Sequence, residues 1–149
     1  MSQQEEAGLL LKLYELRRED TMRKARDWYF RDFNPQSLQD FTDAMSSEQS
    51  NYLRMVLSYW EMAAALVNNG AISPQFFNDA NSEHIGVFSK IEPLLGGIRA
   101  AYPQFAIGFE KLIDATPDGR KRVAAAREMM KTMRAEFAAK QAKAAQQRS

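Results

Sequence analysis

The sequence predicts an all-α, single-domain multi-helix bundle, with long N- and C-terminal helices around a central helical hairpin. Three observations carry this expectation. Apolar residues recur at spacings of three and four along almost the whole chain, which is the helical period. Strand-type alternation is missing, and the sequence holds only four valines and four threonines. The punctuation is that of helices: Asn34-Pro35, Ser73-Pro74 and Thr116-Pro117 each set a capping side chain before a proline, whose missing amide costs nothing in a first helical turn.

The first helix is expected over residues 3–32, with Leu11, Tyr14, Arg18, Met22, Ala25 and Tyr29 on one face. Asn34-Pro35 stops it and opens a short second helix to Met45, capped by Asn34. Ser46 and Gln49 have the spacing of a capping box for the third helix, which runs to Asn69 with Gly70 as its left-handed terminator. Ser73-Pro74 starts a short helix to Ala80, and Asn81 or Ser82 caps the next one. There Ile85, Phe88, Ile91, Leu95, Ile98 and Tyr102 keep phase across Pro93, so one kinked helix is expected, weakened by about 1 kcal/mol for each of Gly96 and Gly97. Pro103 begins a sixth segment with Phe105, Phe109, Leu112 and Ile113. Thr116-Pro117 starts the last helix, to about Ala144. Its apolar seam is Val123, Ala126, Met130, Met133 and Phe137, two heptad-like repeats.

A chain of 149 residues fits one domain, 1–149, and buries roughly 70% of its unfolded surface without a staple. From Ala138 the composition collapses to Ala, Lys, Gln, Arg and Ser, and 138–149 is expected to fray as a basic tail. The net charge of +1 hides a division: residues 33–118 carry four basic and ten acidic side chains, residues 119–149 nine basic and two acidic. An acidic body thus precedes a basic last helix. Absence of cysteine excludes disulfides, thiolate metal sites and a cysteine nucleophile, and suits a cytoplasmic protein. The acidic start, Gln3-Gln4-Glu5-Glu6, has no signal-peptide character, and the longest apolar run, Met62 to Val67, is far short of a membrane span.

The third helix is the most informative. Tyr52, Val56, Tyr59, Ala63 and Leu66 form one apolar face, and Leu53, Leu57, Trp60, Ala64 and Val67 another. Together they cover most of the circumference, so this helix is central, Trp60 is buried and Glu61 is not freely solvated. The remaining polar stripe holds Arg54 and Glu61. It is either a solvated edge or a partly enclosed seam in which each charge needs a partner, and Arg18, Glu92 and Arg99 are the candidates. Arg18 interrupts an apolar face, which a snorkelling side chain also explains.

Asn51-Tyr52-Leu53-Arg54, Ser58-Tyr59-Trp60-Glu61-Met62-Ala63, Asn69-Gly70-Ala71-Ile72 and Phe88-Ser89-Lys90-Ile91-Glu92-Pro93 resemble small bacterial all-helical proteins classed as a domain of unknown function. The resemblance spans about residues 20–115, and its motifs are of the packing kind. It implies an α-helical fold and no assigned activity.

Catalytic patterns are sparse. His84 is the single histidine, and its neighbour Glu83 points about 100° away on a helix, so the two do not chelate together and no metal site is expected. No nucleophile elbow, phosphate-binding glycine loop or zincin pair occurs. Glu61 and Glu92 form an acid–base couple only if they face one another across a cleft. The sequence therefore favours a non-enzyme without cofactor. Three functions are weighed: an interaction or scaffold module, pairing with itself as a homodimer through Met130, Met133 and Phe137 or with another protein; a small-ligand sensor with a pocket near Tyr59, Trp60 and Arg99; and nonspecific nucleic-acid binding by Arg120, Arg127, Lys131 and Arg134, which gather on one side of the last helix without a base-reading motif.

Overall fold

The structure is a computed structural model and describes residues 2–148; Met1 and Ser149, the ends of the expected domain and tail, lie outside the described residues. These hold nine α-helices and no strand: α1 (Gln3–Arg17), α2 (Asp20–Arg31), α3 (Leu38–Met45), α4 (Ser50–Asn68), α5 (Pro74–Ala80), α6 (Glu83–Ile91), α7 (Leu95–Ala101), α8 (Ile107–Ala115) and α9 (Gly119–Arg148). Helix α4 is the centre, packed between α2 and α8, and α9 lies across α6 and α8. Trp60 is wholly buried, as are Leu53, Val56, Ala63 and Ala64 of the same helix.

The expected first helix is two helices. Glu19 stands at the break with extended backbone, and its carboxylate accepts the amides of Thr21 and Met22 at 3.2 Å. Phase explains the break. The residues buried in α1 are Leu10 and Leu13, those in α2 Met22, Ala25 and Tyr29. Nine residues separate Leu13 from Met22, about two and a half helical turns, so a straight helix would aim them in opposite directions. Leu11, Tyr14 and Arg18, expected on the inner face, are exposed.

Other boundaries also move. Ser37, not Asn34, caps α3 by accepting the Asp40 amide. The capping box at Ser46 does not form, since α4 begins at Ser50 without a side-chain cap and the Ser47 hydroxyl binds back to the Ala44 carbonyl. Gly70 ends α4 at φ 85° and Ser73-Pro74 opens α5, both as expected. The chain stays helical across Pro93: α6 passes through one 3-10 turn (Glu92–Leu94) into α7. Gly97 belongs there for packing, because a Cβ would come 3.0 Å from Leu38 Cδ2. Helix α8 starts at Ile107 rather than Pro103, after Ala106 in the left-handed region at φ 57°. Thr116 ends α8, and α9 starts at Gly119, where a Cβ would run into the Ile113 carbonyl. Helix α9 extends to Arg148, past the expected end at Ala144.

Candidate functional site

The stripe residues of α4 part company. The Glu61 carboxylate accepts the amides of Gly108 and Phe109, each at 3.0 Å, and so caps α8, whose own N-terminus supplies no capping side chain. These are first-turn amides that have no partner inside a helix, and a carboxylate there also meets the positive end of the helix dipole. Asn68, two turns further along α4, donates to the Gly108 carbonyl at 2.9 Å. Glu61 is therefore not an acid–base partner of Glu92. Arg54 is exposed and makes neither ion pair nor hydrogen bond among the described residues. Tyr59 is buried and donates its hydroxyl to the Leu13 carbonyl at 2.6 Å; burial pushes its pKa up to about 12. Arg18 stacks its guanidinium on Tyr14 at the surface.

Glu92 and Arg99 do share a network, through residues that sequence reasoning passed over. Arg99 pairs with Glu110 at 2.9 Å and donates to the Phe105 carbonyl. Glu110 also binds Arg120 at 2.8 Å, Arg120 reaches Asp114 at 2.7 Å and Glu92 at 2.9 Å, and Glu92 binds Arg127 at 2.6 Å. The network ties α7, α8 and the end of α6 to α9. The Arg120 hydrogen bonds hold the Glu110 and Asp114 carboxyls below their ordinary range, and the carboxylates hold the Arg120 guanidinium above its own. Two of the four cations weighed for nucleic acid, Arg120 and Arg127, are thus spent on intramolecular pairs.

Arg54 instead stands on the wall of a cleft of about 610 Å³ between α3, α4 and α7. Its lining is mostly apolar: Leu38, Phe41, Met45, Ile98, Tyr102 and Phe105, over the bare backbone of Gly97. Leu38 and Tyr102 leave 43% and 70% of their surface exposed. A volume in this range, apolar walls and a single charged side chain among the lining residues are features of small-molecule pockets.

A second cleft, of about 220 Å³, lies where the α2–α3 loop, the end of α6 and α9 meet. Lys90 is 8% exposed there, and its Nζ donates to the carbonyls of Tyr29 and Phe33 at 2.7 Å, to that of Phe30, and to Asn34 Oδ1. It closes the C-terminus of α2, where a cation opposes the negative end of the dipole. Burial, with Arg134 nearby, lowers the Lys90 pKa to about 7. The sequence carried one signal: Lys90 is the only lysine, arginine or carboxylate among residues 84–91, in an otherwise buried helix.

The interface candidates on α9 are divided by the fold. Val123 is buried and Ala126 and Met130 are half-buried against the body, but Met133 and Phe137 are 60% and 63% exposed, and Met129 beside them 65%. From residue 135 to Arg148 every side chain is exposed. His84, by contrast, is wholly buried: Nε2 faces Asn78 Oδ1 at 3.2 Å, and Nδ1, like Trp60 Nε1, has no hydrogen-bond partner among the described residues. No cluster of three or more metal-ligating side chains occurs among the described residues, and none of their helices is long and apolar enough to cross a membrane.

The model of one protein family, described as a domain of unknown function (DUF4760), matches residues 4–116. This extends the resemblance read from residues 20–115 through α1 and to the end of α8, and leaves α9 outside it. No curated protein and no solved structure matches the chain.

Proposed function

The chain belongs to the DUF4760 family of domains of unknown function, and we propose that this member is an interaction module whose α9 arm docks on a second copy of the chain. The observation that carries the reading is the exposed half of the α9 seam. Met129, Met133 and Phe137 stand exposed on successive turns of α9, the first two where another face of the helix still packs on the body and the third where the helix has left it, and large apolar side chains grouped in this way mark association surfaces. The arm from 135 to Arg148 adds about 20 Å of helix at 1.5 Å per residue. Charge selects its partner. The arm from 135 to 148 carries three basic and one acidic side chain, and residues 33–118 carry four basic and ten acidic, so two arms repel one another weakly, whereas an arm laid on the acidic body of another copy is attracted. Reciprocal exchange of arms closes a two-fold dimer, the commonest assembly symmetry.

Sedimentation equilibrium over a wide concentration range tests this. The expected result is a mass that rises from about 17 kDa towards twice that value and falls again in high salt, as screening weakens the charge attraction. Phe137→Glu, an exposed position whose change spares the core, should hold the chain at the monomer mass. A mass of 17 kDa throughout, unaffected by Phe137→Glu, would overturn the dimer.

A second reading, ligand sensing, is supported by the apolar cleft with Arg54 at its wall. Its ligand class is an anionic amphiphile, whose carboxylate pairs with Arg54 and whose chain covers Phe41, Ile98 and Phe105. Decanoate should displace an anionic apolar dye from the protein, and Arg54→Gln should weaken that displacement. Dye binding that ignores both decanoate and Arg54→Gln would remove this reading.

A further inference from the structure

We infer that the small cleft over Lys90 is a binding site for a phosphate-type anion, held by Arg127, Lys131 and Arg134. These three side chains stand at positions i, i+4 and i+7 of α9, one face of the helix. That face is turned towards the body, so the cations line the cleft together with Lys90, and no carboxylate is among the lining residues.

Charge in the cleft is only partly balanced: Asp32, outside the lining, attracts the Lys90 ammonium. Lys90 is bonded to three carbonyls and one amide oxygen, all uncharged. Arg134 donates to the same Asn34 oxygen at 3.1 Å and makes no ion pair among the described residues. Arg127 is neutralised by Glu92, and Lys131 touches Glu128 only at 3.4 Å, in solvent. A buried ammonium and a guanidinium sharing one amide oxygen, with no carboxylate among the lining residues, cost free energy that a bound anion would return.

Donors remain for it. The hydrogen bonds of Lys90 use its ammonium, but Arg134 engages only one of its three guanidinium nitrogens, Arg127 leaves Nη1 free, and Lys131, whose ammonium has only a long contact to Glu128, lines the cleft as well. Guanidinium forks and an ammonium suit the tetrahedral oxygens of phosphate. Size limits the ligand. About 220 Å³ is below the usual range for drug-sized ligands; it accommodates phosphate, pyrophosphate or a short phosphomonoester, not a strand of nucleic acid. Met130 supplies the single large apolar contact from α9.

Isothermal titration calorimetry on the full chain tests the site with inorganic phosphate, pyrophosphate, a three-carbon phosphomonoester and a short oligonucleotide, all at one ionic strength fixed with sodium chloride. The expected result is saturable binding of one phosphate or pyrophosphate per chain, with a matching rise in melting temperature. Stronger binding of the phosphomonoester than of inorganic phosphate assigns the site to an ester; the reverse assigns it to the free anion. Lys131→Gln and Arg134→Gln, both on the α9 surface, should each weaken binding about tenfold, the effect of losing one charge-assisted contact. Lys140→Gln with Lys143→Gln, beyond the cleft, should change nothing. Absence of saturable binding, equal loss in the distal double variant, or binding of the oligonucleotide alone would overturn the inference.

Discussion

Removing the Glu61 carboxylate should loosen α8 from α4. Two amide donors, Gly108 and Phe109, lie 3.0 Å from its two oxygens, in the first turn of a helix preceded by the left-handed Ala106 and without a cap of its own. Hydrogen bonds to a charged acceptor are worth about 1.5–3 kcal/mol each when buried. The half-buried site here and access of water to the freed amides bring the pair down to a total of about 2–3 kcal/mol in Glu61→Ala. Glu61→Gln should cost less, about 1–2 kcal/mol: one amide keeps an oxygen acceptor while the other meets an NH2 group. Gly108→Ala should be harmful for a related reason, because its new Cβ would run into Glu61 Oε1. Urea unfolding of the three variants gives the stability changes. Amide hydrogen exchange then localises them, with Gly108 and Phe109 losing protection in Glu61→Ala before the core of α4 does. A loss under about 0.5 kcal/mol, or unchanged exchange at both amides, would refute the cap.

Two further perturbations follow from the core around Trp60. Trp60→Ala should destabilise by roughly 3–5 kcal/mol, since the wholly buried indole packs edge-on against Tyr59 and Phe77; a urea midpoint shift worth less than about 1 kcal/mol would place α4 outside the centre. His84 should resist protonation, because burial and the nearby Arg122 and Arg17 lower its pKa to about 4. Between pH 6.5 and 4 the unfolded chain therefore binds a proton that the folded chain does not, and stability should fall as pH falls through that window. An imidazole NMR titration with its midpoint above pH 6 would contradict the burial.

Much of the fold was written locally. Heptad and three-four spacings are properties of neighbouring residues, so the all-α class, the terminator Gly70, the Ser73-Pro74 start and the helical passage of Pro93 were all legible. Trp60 was legible for the same reason: apolar side chains on two faces of α4 leave only a narrow stripe for solvent, away from Trp60. The break at Glu19 was less so, because no proline or glycine marks it; only the opposed phases of Leu10–Leu13 and Met22–Tyr29 require it.

Tertiary structure decided what the charges do. Arg54 and Glu61 share a stripe of α4, yet one stands on the wall of an apolar cleft and the other meets two amides 47 and 48 residues away. Arg120 collects three carboxylates from two other elements. Lys90 finds four oxygens some 56–61 residues earlier in the chain. A sequence reveals periodicity because burial of a face is set by near neighbours. It does not reveal ion pairs or clefts, whose partners are brought together only when helices cross, and whose worth depends on water excluded at that crossing.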